Sequence, residues 1–270
     1  IVGGAFNRLA SSGVFSASNL VRLNSDGSRD TTFCNNVNTS LVNANFVGDV
    51  AVLPDGKILV AGGAYKPGGG NIPLLVRLNA DGTLDTSFTA NWALEYGDID
   101  ELLVLPDGRI LIGGDFTFAG TTANLNFACL NASGSVNTAF MANVGSGPNG
   151  WTGGELALQP DGTILVGGIF NRWNGNPRAS IARLNADGTL DAGLAVVPYT
   201  LVQGQYLTHT YSFAVQPDGK IVMGGWFDRI TDTAVESYNL ARITNEYAPG
   251  QPGTLRMVSA TRSTTENAGT

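Results

Sequence analysis

The stretch that decides the fold is Val50-Ala51-Val52-Leu53-Pro54-Asp55-Gly56-Lys57-Ile58-Leu59-Val60-Ala61-Gly62-Gly63-Ala64-Tyr65, followed by Leu75-Val76-Arg77-Leu78-Asn79-Ala80-Asp81-Gly82-Thr83-Leu84-Asp85-Thr86-Ser87-Phe88. Its first half sets two short apolar, β-branched runs on either side of Pro-Asp-Gly. Proline fixes φ, aspartate accepts a local backbone N–H bond and glycine takes positive φ, so the runs fold back as an antiparallel hairpin. The second half repeats the scheme around Asn-Ala-Asp-Gly. The segment therefore reads as four short strands in two hairpins.

Working outward, the same pattern returns along the chain. Gly-Gly-x-aromatic occurs at Gly3-Gly4-Ala5-Phe6, Gly62-Gly63-Ala64-Tyr65, Gly113-Gly114-Asp115-Phe116, Gly167-Gly168-Ile169-Phe170 and Gly224-Gly225-Trp226-Phe227, with steps of 59, 51, 54 and 57 residues between the aromatics. Leu20-Val21-Arg22-Leu23-Asn24 returns at Leu75–Asn79, Phe127–Asn131 and Ile181–Asn185 and, weakened, at Leu240–Thr244. Pro-Asp-Gly opens at Pro54, Pro106, Pro160 and Pro217. A repeat of this length is one supersecondary unit that cannot bury both sheet faces alone and must stack on its neighbours. No stretch carries a convincing 3.6-residue apolar stripe of helical length. The expected fold is all-β, a β-propeller of four-stranded antiparallel blades with at least five blades represented. A linear β-solenoid is the alternative, but its coils are usually much shorter and lack two hairpins per repeat. The propeller is placed at 1–245, a linker at 246–253, and a closing strand or the start of a following β-sandwich at 254–270. The chain opens at a blade's second strand, so the ring's first innermost strand is to come either from Thr254–Ala260 or from sequence upstream.

Composition narrows the function. The 270 residues include 36 glycines, and 15 basic against 22 acidic side chains give a formal charge of −7. Phosphate backbones require clustered Lys and Arg, so nucleic acid is not an expected partner. No apolar run reaches the length of a membrane span, and membrane insertion is not expected. Two cysteines, Cys34 and Cys129, lack CxxC spacing and cannot form a metal site by themselves.

The pairing of Leu-x-Pro-Asp-Gly-Lys-Ile-Leu-Val-Gly-Gly-x-Phe with Arg-Leu-Asn-x-Asp-Gly-x-x-Asp-x-x-Phe resembles the delta-60 repeat, a propeller-forming repeat of large bacterial surface and secreted proteins. The resemblance covers residues 1 to about 245 and implies a fold and an extracellular or cell-surface setting, with no catalytic residues to carry over. The third unit departs from it at Cys129, Ser133 and Asn137, and the fifth loses its second turn at Thr244-Asn245-Glu246. The tail Arg262–Thr270 is similar to the opening of a Calx-beta domain. Together these imply further domains of the same polypeptide as partners.

A propeller sends its two hairpin turns to one face and its longer connections to the other. Here the turns are near-identical and the connections vary, so blade-specific function belongs to the variable face. Trp92, Tyr96, Trp151, Trp173, Tyr206, His209 and Tyr211 fall in or beside those connections. The first six are the candidate ligand-binding residues, suited to stacking on sugar rings or anchoring a protein. The competing reading is that these aromatics plug loop bases against the ring. No cofactor is expected. The Asn-x-Asp-Gly-x-x-Asp runs at Asn24, Asn79 and Asn185 bear on calcium, but they lack the distal bidentate Glu, and a turn role accounts for them. The repeated Arg22, Arg77, Arg183 and Arg242 are expected to bridge sheets as structural pairs, with Asp30, Asp85 and Asp191 as the following acids.

No residues are assigned a catalytic role. His209 is the single histidine, without a nucleophile motif beside it, and the group Glu95, Asp98, Asp100 and Glu101 reads as a solvated loop. The sequence thus points to a non-catalytic structural or adhesive module presenting variable loops to carbohydrate or protein. A secreted polysaccharide-acting enzyme and an architectural subunit of a filament or sheath are the alternatives.

Overall fold

The computed structural model describes residues 1–6, 19–41, 44–65, 71–88, 94–118, 126–178, 180–194, 198–199, 201–202, 205–206, 208–227, 229–230, 239–243 and 257–259. The first unit contributes β1 (Val2–Gly3) and β2 (Leu20–Val21), then helix α1 (Thr31–Ser40). The second is the sheet β3 (Ala44–Val52), β4 (Ile58–Tyr65) and β5 (Asn71–Leu78). The third is β6 (Leu94–Val104), β7 (Ile110–Phe118) and β8 (Phe127–Leu130), followed by α2 (Thr138–Val144). The fourth joins β9 (Trp151–Leu158), β10 (Ile164–Ile169) and, after the small hairpin β11 (Arg172–Trp173) and β12 (Asn176–Pro177), β13 (Ile181–Leu184). Three short strands follow, β14 (Pro198–Tyr199), β15 (Leu201–Val202) and β16 (Gln205–Tyr206). The fifth unit holds β17 (His209–Val215), β18 (Ile221–Trp226), β19 (Arg229–Ile230), β20 (Leu240–Ile243) and β21 (Met257–Ser259), in the sheet order β17-β18-β20-β21.

Pro-Asp-Gly closes the first hairpin of the second to fifth units as the sequence requires: Leu53 N–H donates to Lys57 O at 2.8 Å, and Lys57 N–H to the Asp55 carboxylate at 3.1 Å. The fourth ribbon is reduced. In four units it is a single bridge, Leu23 to Arg29, Leu78 to Leu84, Leu130 to Val136 and Leu184 to Leu190. Where a strand was expected, the first and third units turn into helices. Asp30 and Asn137 act as N-caps, accepting from Phe33 N–H and Phe140 N–H at 3.0 Å each. The periodicity concealed α1 because its buried face is only Phe33, Cys34 and Val37. In the fifth unit β21 supplies the fourth strand, with Ile243 opposite Met257. The segment considered for the ring's innermost position thus pairs at the outer edge of the last sheet.

Strand register corrects one alignment of the repeats. Ile58 pairs with Leu78, Ile110 with Leu130, Ile164 with Leu184 and Ile221 with Ile243. In that frame Gly62, not Gly63, is the counterpart of Gly114, and Ala64 stands where Phe116, Phe170 and Phe227 fill the core. The β4–β5 hairpin pairs without a break to Tyr65 and Asn71. The other units break theirs at a left-handed residue, Asn19, Asn126, Ser180 or Asn239, with φ of 63°, 51°, 64° and 62°. These residues also join blades. Asn19 Nδ2 donates to Ala44 O and Asn45 O at 3.0 Å each, Thr152 Oγ donates to Asn126 O, and Ser180 Oγ donates to Thr208 O at 2.5 Å.

The apolar core lies between blades rather than within them. Ile58 and Val60 pack with Leu20, Val21 and Phe33 of the first unit, while Leu59 and Ala61, on the same strand, pack with Ile99, Leu102 and Ile112 of the third. Leu165 and Ile181 of the fourth likewise join Phe213, Ile221 and Met223 of the fifth. Each fully buried aliphatic contributes about 1.5–3 kcal/mol, and both faces of a blade collect it only with a neighbour on each side.

Polar ties reinforce the junctions among the first four units. Arg22 pairs with Asp30 at 2.7 Å and reaches Ala80 O, in the next unit's turn, at 2.5 Å. Arg77 pairs with Asp85 at 2.8 Å and reaches Ala132 O at 2.9 Å. Arg183 pairs with Asp191 at 2.6 Å. The third unit, with Cys129 and Asn137 in place of the pair, recruits Arg109 from its Pro-Asp-Gly turn. Its guanidinium donates to Ala186 O at 3.0 Å and covers Phe140 at 5.4 Å, as Arg22 covers Phe33 at 4.2 Å. Burial pushes the Cys129 thiol up to about 11, which keeps it protonated and unreactive.

Candidate functional site

The strands β3, β6, β9 and β17 are the innermost of their sheets, and register makes Asp49, Glu101, Glu155 and Ser212 equivalent, opposite Ala61, Gly113, Gly167 and Gly224. Just before this column the register slips in β3 at Gly48, in β6 at Asp100 and in β17 at Tyr211. Such bulges interrupt alternation and re-aim side chains. They also press the inner strand onto the second one: a Cβ on Gly114 would collide with Asp98 O, and one on Gly225 with His209 O. That close approach requires the second glycine of the pair.

The column is linked from blade to blade. Asp49 Oδ2 accepts from Leu102 N–H at 3.0 Å and its Oδ1 from Val50 N–H at 2.7 Å. Trp151 Nε1 donates to Asp100 Oδ2 at 2.6 Å, and Gly153 leaves the room for that contact, since a Cβ there would lie 2.5 Å from the carboxylate oxygen. Ser212 Oγ donates to Glu155 Oε2 at 3.2 Å.

The electrostatics of the two faces are opposed. Burial, reinforced by Asp49, Glu155 and Asp100, pushes the Glu101 carboxyl up to about 8. Burial also raises Asp49, Asp100 and Glu155, against the N–H, indole and hydroxyl bonds that favour their ionised forms. None of these four pairs with Lys or Arg among the described residues. On the turn side, by contrast, the Ser28, Thr83 and Thr189 hydroxyls and N–H groups hold Asp26, Asp81 and Asp187 below the usual carboxylate range. Those bonds give the Asn-x-Asp-Gly aspartates the turn role expected of them. Among the described residues no group of three or more His, Cys, Asp or Glu is arranged to hold a metal ion.

One prediction arises here. Folded protein keeps the Glu101 proton up to about 8, whereas unfolded chain releases it near the ordinary value of 4.5. The contribution to stability is therefore full below about 4.5 and is lost as pH rises to about 8. Glu101→Gln is expected to flatten this loss, gaining on the order of 2 kcal/mol at pH 8.5 relative to pH 5 after allowance for solvent screening. Urea midpoints at the two pH values check it; an unchanged pH slope would contradict the buried-carboxyl assignment.

Aromatic groups stand next to the acids. His209 Nδ1 and Tyr211 Oη share a hydrogen bond at 2.9 Å, and the His209 ring meets Tyr211 and Trp226 edge-on at 5.6 and 5.3 Å. Burial lowers His209 further below neutrality. Tyr211 is 51% and Trp226 47% exposed, and exposed Ile169 takes the register place of Trp226 on the adjacent blade.

Of the residues expected to bind ligand, Trp151 and His209 belong to this group. Trp173 does not. It is completely buried, packed edge-on against Phe127 and Phe170 at 5.3 and 5.8 Å, because the β11–β12 hairpin folds it into the core between the third and fourth blades. Trp92 and the side chains of Tyr96 and Tyr206 lie outside the described residues. Sequence reasoning passed over Trp226, Asp49 and Glu155. A signal for two of them was present: Asp49, Glu101, Glu155 and Ser212 each stand five places before the proline of Pro-Asp-Gly. Trp226 occupies the one changing position of Gly-Gly-x-Phe. On the opposite face an apolar groove of about 640 Å³, lined by Val52, Leu53, Pro54, Val104, Leu105 and Pro106, is built from repeated positions.

Comparison with known proteins gives one match by family. The family model described as "Domain of unknown function (DUF5122) beta-propeller" matches residues 1–33, 53–88, 105–140, 159–194 and 216–245. The matched segments exclude Asp49, Asp100, Glu101, Trp151, Glu155, His209 and Tyr211 and include Trp226. No curated protein matches it.

Proposed function

Since the chain belongs to the DUF5122 beta-propeller family, with five repeats, we propose that it is a non-catalytic, adhesive module of a large extracellular multidomain protein of bacterial type, whose variable face binds carbohydrate. The observation that carries this reading is the exposure of Tyr211 and Trp226 beside His209, at the end of the inner strands where blades differ. An aromatic face held by a rigid sheet stacks on the C–H side of a sugar ring at little entropic cost, and hydroxyls find acceptors in the neighbouring carboxylates. The Calx-beta-like tail and the extracellular setting belong to the same proposal.

A glycan array tests it. The intact propeller is expected to bind a restricted set of glycans, and Tyr211→Ala/Trp226→Ala to lose at least about tenfold in affinity, equivalent to ~1.4 kcal/mol, while keeping its melting temperature within a few degrees. Absence of binding to any glycan, or full binding by the double variant, would refute the reading.

The raised carboxylates favour a second reading, a polysaccharide-acting hydrolase in which protonated Glu101 serves as general acid and a neighbouring carboxylate as base. Release of new reducing ends from a bound polysaccharide, abolished by Glu101→Gln, would select it.

A further inference from the structure

We propose that the variable face is specific for amine-bearing sugars, glycans whose ring nitrogen substituent is a free ammonium group; this rests on the carbohydrate-binding reading above. Two separate features converge on that ligand. The first is the exposed aromatic surface of Tyr211 and Trp226, set by the β17 bulge and the His209–Trp226 cross-strand pair. The second is the sign of the charge around it. Glu155 is bonded to Ser212, the residue after Tyr211, and Asp100 is bonded to Trp151 at the start of the adjacent inner strand.

Four described cations are engaged elsewhere. Arg22, Arg77 and Arg183 are held by Asp30, Asp85 and Asp191, and Lys220 by Asp218, on the turn side. Glu101, Glu155 and Asp49 stand close enough to disfavour one another's ionisation, with no described cation between them. An acidic glycan would add to that repulsion. A neutral one would leave it unrelieved. An ammonium group on a ring stacked against Tyr211 or Trp226 would meet the aromatic π-face and the carboxylates together, and both interactions favour a cation. Binding would then favour the ionised carboxylates and release protons.

The test compares a glucosamine hexamer with its fully N-acetylated counterpart on the intact chain, by titration calorimetry at pH 6 in two buffers of different ionisation heat. The amine-bearing hexamer is expected to bind at least tenfold more tightly, to weaken between 0.1 and 0.5 M salt, and to give buffer-dependent heats that report proton release. Glu155→Gln should reduce the preference several-fold without abolishing stacking, and Trp226→Ala should weaken both ligands. Equal affinities, or a preference for the acetylated or an acidic hexamer, would overturn the inference while leaving carbohydrate binding in place. Tighter binding of oligolysine than of the glucosamine hexamer would overturn it in favour of a basic peptide. Binding of no glycan would remove the underlying reading as well. The wild-type comparison alone decides the matter should a variant fold poorly.

Discussion

Trp173→Ala is expected to lower the unfolding free energy by about 4 kcal/mol, with a fall in Tm on the order of 10 °C. Trp173 has no exposed surface and fills the space between Phe127 and Phe170, in a core assembled from the third and fourth blades. Truncation removes its buried area and leaves a cavity whose walls belong to two sheets fixed by their own ladders, so collapse is limited. Trp173→Phe should recover roughly half of the loss. Denaturant unfolding read by circular dichroism measures both. Glycan binding by folded Trp173→Ala is expected to match wild type, because the side chain is buried in the core of the third and fourth blades, whereas Tyr211 and Trp226 belong to the fifth. A variant of unchanged stability with lost binding would return Trp173 to the ligand face.

Arg183→Ala should cost about 3 kcal/mol. The guanidinium is 1% exposed and bonded to Asp191 at 2.6 Å, and its removal leaves a carboxylate that is only 14% exposed without its cation. The third blade shows how the charge can be dispensed with. There the corresponding pair is Cys129 and Asn137, and Asn137 still caps its helix. Arg183→Cys combined with Asp191→Asn copies that solution and is expected to regain more than half of the loss, a non-additivity that identifies direct coupling. Recovery should be incomplete, because Arg109 ties the third blade to Ala186 from the position after Pro-Asp-Gly, and the fourth blade has Thr163 there. Strictly additive losses would mean that the pair is not coupled.

Much of this architecture was legible in the repeats. Pro-Asp-Gly and Asn-x-Asp-Gly carry their turn chemistry locally, so the hairpins followed from those residues alone, and the recurrence of Arg with an Asp eight places later gave the bridging pairs. The helices were not legible. Asp30-Thr31-Thr32-Phe33 and Asp85-Thr86-Ser87-Phe88 are nearly the same string, yet only the first enters a helix, where Asn36 and Ser40 reach Asp81 O and Gly82 O of the next blade at 2.9 and 3.1 Å. The site was half legible. Asp100, Glu101, Trp151, His209 and Tyr211 were singled out by type, but as scattered loop residues, since a bulge leaves no mark in composition.

By itself the sequence determined that each unit is a pair of hairpins with two apolar faces, because turn geometry and strand alternation are set by neighbouring residues. Which face of a blade meets which neighbour, that Arg109 replaces a missing arginine, that Trp173 is core, and that carboxylates from three blades gather at one level were decided only by tertiary structure. Those outcomes depend on residues some fifty places apart being brought side by side through register and stacking, and no local preference encodes the distance between them.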